Sequence, residues 1–198
     1  MKRILSFTLL AMVFAPMTLH AVARPGHKHE DLFGEEDLLI GFKLGPELTG
    51  YTPVNTGTAT IDVQSSMRAL GGVAFEFIYA VPRFEIDVLW NVRGGLNNSD
   101  SFHSISIPIL AKLPWEIDTG VDLEFGVGYE SDFVMFGDQP HRRLLQGILG
   151  SVGIAVDFET YVFSFAVRYN HGLDTVADDI NGGRPRDTQM IGGMLWHF

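Results

Sequence analysis

The chain of 198 residues contains no cysteine, which excludes disulfides, thiolate chemistry and acylation of an amino-terminal cysteine. Positive charge is scarce. Lys and Arg number 14 against 24 Asp and Glu, and the formal net charge of −10 argues against nucleic acid as a partner. No stretch beyond the amino terminus reaches the roughly 18 uninterrupted apolar residues that a membrane helix needs. If the chain enters a membrane, it does so as strands.

The amino terminus reads as a secretory signal peptide over 1–23. Lys2 and Arg3 supply positive charge, Ile4 to Pro16 is apolar, and Ala21-Val22-Ala23 offers a small-x-small cleavage site, after Ala21 or Ala23. Loss of Lys2 and Arg3 takes the charge to −12. Residues 24–37 are polar and without apolar period, and read as a flexible periplasmic leader. Its His27-Lys28-His29-Glu30-Asp31 run supports no more than adventitious metal binding, so neither a metal site nor a cofactor is expected.

From 38 to 198, alternation of period two recurs in eight runs separated by Gly, Pro, Asn and Asp clusters. The third is clearest, with Phe84, Ile86, Val88, Trp90 and Val92 opposing Glu85, Asp87, Leu89, Asn91 and Arg93. The fourth is expected over His103 to Leu113 and the fifth over Val121 to Tyr129. The last ends the chain on Phe198, with Met190, Met194 and Trp196 on its apolar face. Connections at Ala80–Pro82, Pro114–Thr119 and Glu159–Thr160 are short, whereas Thr52–Ser66, Gly94–Ser101, Ser131–Arg143 and Gly172–Arg186 are long. Short periplasmic turns and long extracellular loops characterise outer-membrane barrels. The expected fold is therefore all-β, an eight-stranded antiparallel transmembrane β-barrel with its first and last strands paired.

A secreted lipocalin-like barrel with an apolar interior shows the same alternation. Small residues on the polar face, among them Gly41, Gly45, Gly72, Gly126 and Gly128, favour that face as the interior of a narrow barrel. On the apolar face, Tyr161 and Tyr169 are separated by about 20 Å along the membrane normal at a strand tilt of about 40°, matching two aromatic girdles. Phe84, Tyr79, Trp196 and Phe198 fall in the periplasmic girdle, Trp90 and Tyr129 in the outer one. Trp196 and Phe198 would also form the signal read by the barrel-assembly machinery.

The Gly41-x-Lys43-x-Gly45 pattern, Ile107-Pro108-Ile109-Leu110-Ala111-Lys112, Arg168-Tyr169-x-x-Gly172-Leu173 and the terminal aromatic strand together resemble the PorT-like outer-membrane β-barrel family. The resemblance implies a barrel in the bacterial outer membrane and no particular activity. Function has to come from sites.

Three sets of residues could carry it. A lumen charge network comprises Lys43, Arg68, Glu76, Glu85, Asp87, Arg93, Lys112, Asp122, Glu124, Asp157 and Arg168. Its acids are expected toward the periplasm and Arg68, Arg93 and Arg168 toward the outside, with Lys112 near Asp122 and Lys43 near a carboxylate such as Glu76. Arg142, Arg143, Arg184 and Arg186 could form a collar for lipopolysaccharide phosphates. Nearby, Phe133-Val134-Met135-Phe136 is either the top of a hairpin or a contact patch. His171 is followed two residues later by Leu173, where lipid A deacylases of similar size carry Ser, so the imidazole has no nucleophile to activate, and no G-x-S-x-G or H-E-x-x-H occurs. The sequence favours a monomeric, non-enzymatic barrel in contact with outer-membrane lipid and lipopolysaccharide. A lipid-modifying enzyme and a narrow channel are the alternatives.

Overall fold

The computed structural model describes residues 37–52, 66–78, 81–94, 101–137, 144–158, 160–174 and 184–198. The signal-peptide and leader segments, Tyr79, Arg142 and Arg143 lie outside them. Eight strands follow in chain order: β1 (Asp37–Thr52), β2 (Ser66–Ile78), β3 (Arg83–Gly94), β4 (Ser101–Asp118), β5 (Val121–Gly137), β6 (Leu144–Asp157), β7 (Tyr161–Gly172) and β8 (Arg184–His197). Each pairs antiparallel with the next and β8 returns to β1, from Leu39↔His197 to Thr52↔Arg184, which closes the barrel. Closure leaves every strand with two neighbours and so satisfies the backbone groups that lipid cannot. The short connections and both ends of the barrel chain share one rim, the long connections the other.

Two strands outrun their sequence limits. β4 continues through Pro114 to Asp118, leaving only Thr119 and Gly120 as the connection, with Gly120 in the left-handed region at φ 73°. β5 extends past Tyr129 to Gly137, so Phe133 to Phe136 is strand rather than loop. The prolines are accommodated by gaps in single ladders. The β3–β4 pairing is interrupted between Ile86↔Ile109 and Leu89↔Ser106, beside Pro108, while β4–β5 keeps Pro108↔Glu130.

The apolar face is outside. Phe42, Trp90, Phe125, Phe163, Phe165 and Tyr169 are all exposed. An apolar surface that encircles the molecule is untenable in water, and its placement excludes the lipocalin-like arrangement. Aromatic contacts mark the two rims. Phe42 packs on Trp196 with ring centroids 5.7 Å apart, and Phe158 stacks on Tyr161 at 5.0 Å, both near the short-turn rim. Toward the long-loop rim, Trp90, His103 and Phe136 form a trio. A register shift opposite His103 and Ser104 turns both Met135 and Phe136 outward.

Inside, Leu39, Ala74, Ala155, Val162 and Leu195 pack together at the short-turn end. They line one wall, contributed chiefly by β6, β7, β8 and β1. Strands approach so closely that several inward positions admit only glycine: a Cβ on Gly45 would stand 1.8 Å from the Met190 carbonyl oxygen. On the lipid side, a Cβ on Gly150 would meet nothing within 4 Å. Gly45→Ala is therefore expected to cost about 1–3 kcal/mol through overpacking. Gly150→Ala should stay within about 0.5 kcal/mol of the parent. Urea unfolding in lipid vesicles, followed by tryptophan fluorescence, compares the two.

Candidate functional site in the barrel lumen

Alternation turns one side chain in two of β2, β3, β4 and β5 toward the lumen, and at the short-turn half these are charged. Glu85 sits at the centre. Lys43 Nζ on β1 lies 2.5 Å from its Oε2, Lys112 Nζ on β4 lies 3.0 Å from the same oxygen, and Arg168 of β7 bonds its Oε1 across the width of the barrel. Arg168 also donates to Asp87 at 2.7 Å, and Lys43 lies 3.4 Å from the other Asp87 oxygen. Below, Lys112 reaches Glu76 and Glu124, each at 2.8 Å. Arg83 holds Asp122 at 2.8 Å and Glu124 at 3.4 Å.

Four cations thus face five carboxylates, formally one negative charge in excess. Removing each ion from water costs several kcal/mol, and only well-placed multiple partners offset that. Sharing supplies them, since Glu85 touches three cations and Lys112 three acids. The small residues opposite provide the space. A Cβ on Gly193 would stand 2.7 Å from Lys43 Cγ, and Ser151, Ser164 and Ala166 line the void into which Lys43 and Arg168 extend. That void is about 10 Å³, the size of a single water.

Several sequence expectations are corrected here. Lys112 contacts Glu76, Glu85 and Glu124 rather than Asp122, while Lys43 does contact carboxylates as expected, those of Glu85 and Asp87 in place of the example Glu76. Same-strand spacing fixes a residue's face, but strand tilt decides which height it meets across the barrel. Asp122 is bound instead by Arg83. That arginine was missed because it follows Pro82 directly and looks like part of the turn. Its position two residues before Glu85, in phase with the inward face, was the available signal. Asp157 is not buried: it lies at the short-turn mouth, its side chain 42% exposed, with His197 Nε2 3.4 Å away.

The proposed separation of lower acids from upper arginines also fails. Arg168 is drawn down onto Glu85 and Asp87, and the long-loop half carries the buried acids Glu47, Glu130, Asp132 and Asp187. Arg68 stands beside Glu47 in register, and the Arg93 side chain is outside the described residues.

On the outer surface, Arg184 and Arg186 are exposed at the start of β8. His171 is the cross-strand partner of Arg186 on one side and of Ile148 on the other, so no serine stands directly opposite it. Trp196 packs against Phe42, and the Phe198 amide donates to the Leu38 carbonyl at 3.0 Å.

No family model matches the chain, and no curated protein matches it either. Solved structures do. The fold is similar to that of Neisserial surface protein A, with a TM-score of 0.58 at 12% identity, covering 80% of this chain and 97% of that one. It is also similar to the outer membrane protein OprG from Pseudomonas aeruginosa, with a TM-score of 0.51 at 14% identity, covering 82% and 96% respectively. At such identities the likeness concerns the fold alone.

Truncating a cation here leaves buried carboxylates without their partner. Arg168→Met is expected to destabilise the barrel by about 3–5 kcal/mol, and Lys112→Met by a similar amount. Replacing Asp87 by Leu in the Arg168→Met background should recover part of the loss, because the pair is then removed together. Urea midpoints of the single and double variants measure this.

Proposed function

We propose that the chain is a non-enzymatic protein of the bacterial outer membrane. Its lumen braces the barrel, and it acts through the surface and loops of the long-loop, extracellular rim. The observation that carries this reading is the filled interior. Among the described residues, nine mutually bonded charges cross the short-turn half of the lumen and leave beside them a void of about 10 Å³, too small there for a pore or a substrate. The signal peptide over 1–23, the alternating loop lengths and the aromatic terminal strand support this location, with Trp196 and Phe198 engaging the assembly machinery. Membership of the PorT-like family is the finer proposal and stands on the sequence motifs.

At the long-loop rim, Arg184 and Arg186 are exposed at the start of β8, and guanidinium groups bind phosphate, such as that of lipopolysaccharide, bidentately. Arg142 and Arg143, which lie outside the described residues, complete the collar proposed for a monomeric barrel.

The refolded protein should bind vesicles containing lipopolysaccharide more tightly than vesicles of phosphatidylcholine alone. Arg184→Glu/Arg186→Glu should reduce that preference by about tenfold, the effect of roughly 1.4 kcal/mol. Equal binding of parent and variant would remove the collar. In the same preparation no fatty acid should be released from lipid A, and planar-bilayer recordings should show no steady conductance. Deacylation lost in folded His171→Ala would replace the proposal with the lipid-modifying enzyme, and a conductance raised by Arg168→Met but absent from the parent would point to a gated channel.

A further inference from the structure

Burial alternates along the start of β8, with Pro185, Asp187 and Gln189 buried and Arg184, Arg186 and Met190 exposed, so the two arginines stand on the outer wall. His171 of β7 is on the same wall, since Asn170 and Gly172 on either side of it are buried. The register sets Arg186 between His171 and Gly50 of β1. Directly opposed residues on one face have Cβ atoms about 5 Å apart, so the guanidinium and the imidazole can donate to one anion. Asp187 is turned into the lumen and buried. Asp174, the acid nearest His171 in the chain, accepts the Gln146 amide of β6 at 3.0 Å. The other cations whose side chains are described, Lys43, Arg68, Arg83, Lys112 and Arg168, share the lumen face with their partners, which leaves β8 as the seat of outward positive charge among the described residues.

Two glycines open space around this pair. A Cβ on Gly50 would meet only the Arg186 carbonyl oxygen, at 3.7 Å, so the wall beside the guanidinium is clear. One rung toward the middle of the barrel, Thr188 pairs with Tyr169, and Tyr169 with Gly150 of β6. A Cβ on Gly150 would meet nothing within 4 Å, while Ile148, Val152 and Tyr169 around it are exposed, so the glycine leaves a gap in the outer layer of side chains. A further rung down, Val152, Val167 and Met190 present hydrocarbon alone. Descending this wall, charge gives way to the hydroxyls of Thr188 and Tyr169 and then to apolar side chains. Phosphate, sugar and acyl chain follow one another in the same order in a phosphorylated glycolipid.

We infer that β7, β8 and the end of β1 seat one phosphorylated glycolipid of the outer leaflet, its phosphate shared by Arg186 and His171, its sugar over Gly50 and one acyl chain in the gap at Gly150. The inference rests on the extracellular placement of the long-loop rim proposed above and turns a collar of charge into one defined site. His171 acts there as a hydrogen-bond donor to the lipid.

The test titrates diphosphoryl lipid A into the full chain, refolded in detergent, and counts bound lipid by native mass spectrometry. One lipid A per barrel is expected, with lipid A stripped of its phosphates and phosphatidylglycerol each held at least about tenfold more weakly. Inorganic phosphate at about 10 mM should not displace it, because headgroup and acyl chain bind as linked units. Gly50→Leu/Gly150→Leu, which fills both gaps and leaves every charge in place, should weaken binding at least about tenfold, and His171→Ala by about the same factor. Weakening in Arg184→Glu/Arg186→Glu with full binding in the glycine and histidine variants overturns the seat and leaves the collar. Unchanged binding in all three removes both. Phosphatidylglycerol bound as tightly as lipid A, or displacement by inorganic phosphate, overturns the glycolipid as the occupant. Should the double glycine variant lose the heat-modifiable gel migration of a folded barrel, Gly150→Leu alone decides, since its side chain enters open space.

Discussion

Eight strands close around a space only as wide as the side chains that fill it, and that narrowness governs the rest of the molecule. Charges turned into such a space cannot keep their water. They must exchange hydration for one another, and here they do so through sharing, with Glu85 between Lys43, Lys112 and Arg168. Arg168 matters most geometrically because it comes from β7 and bonds acids on β3, so it holds opposite walls together. A ring of separate pairs between neighbouring strands would brace each seam but not the cross-section.

The same narrowness explains the division of the wall by residue size. Long ionic side chains come mainly from β2 to β5, while β6, β7 and β8 present Ser151, Gly153, Ser164, Ala166 and Gly193 to receive them. Each enlargement on the small side displaces a charged group, so neither set can drift independently. Outside, where lipid adapts to shape, no such matching is needed, and the aromatic contacts among the described residues gather near the two rims.

Which face each residue occupies was legible in the sequence because strand alternation survives any change of register partner. Lys43, Glu76, Glu85, Asp87, Lys112, Asp122, Glu124 and Arg168 could be put on one face for that reason. Their pairing was not legible, since the height at which β7 meets β3 depends on the tilt and stagger of all the strands between them. Strand ends were misread where local chemistry and the ladder disagree. Pro114 looks like a terminator, yet a proline interrupts only the ladder on the side where its missing N–H would point, and β4 continues on the other. The buried hydrogen bonds that join Ser106 to Asn91, Glu130 and Asp132 were not legible because Asn91 and Ser106 carry no charge pattern, and Glu130 and Asp132 lie beyond the expected end of the fifth run.

The extension of β4 has a consequence for how copies of the protein meet. β3 begins opposite Lys112, so among the described residues Leu113 to Asp118 have a neighbour on the β5 side only. Such an overhang is an open sheet edge, the place where a second chain could add a strand. Pro108 and Pro114 have the same parity, and the ladder gap beside Pro108 faces β3, so the N–H that Pro114 lacks would have pointed along the open side. Glu116 and Asp118 add negative charge to the same short stretch, and an identical edge brought alongside would meet it with like charge. The residue that reads as the end of the strand therefore lets the hairpin stand clear of the barrel without templating polymerisation.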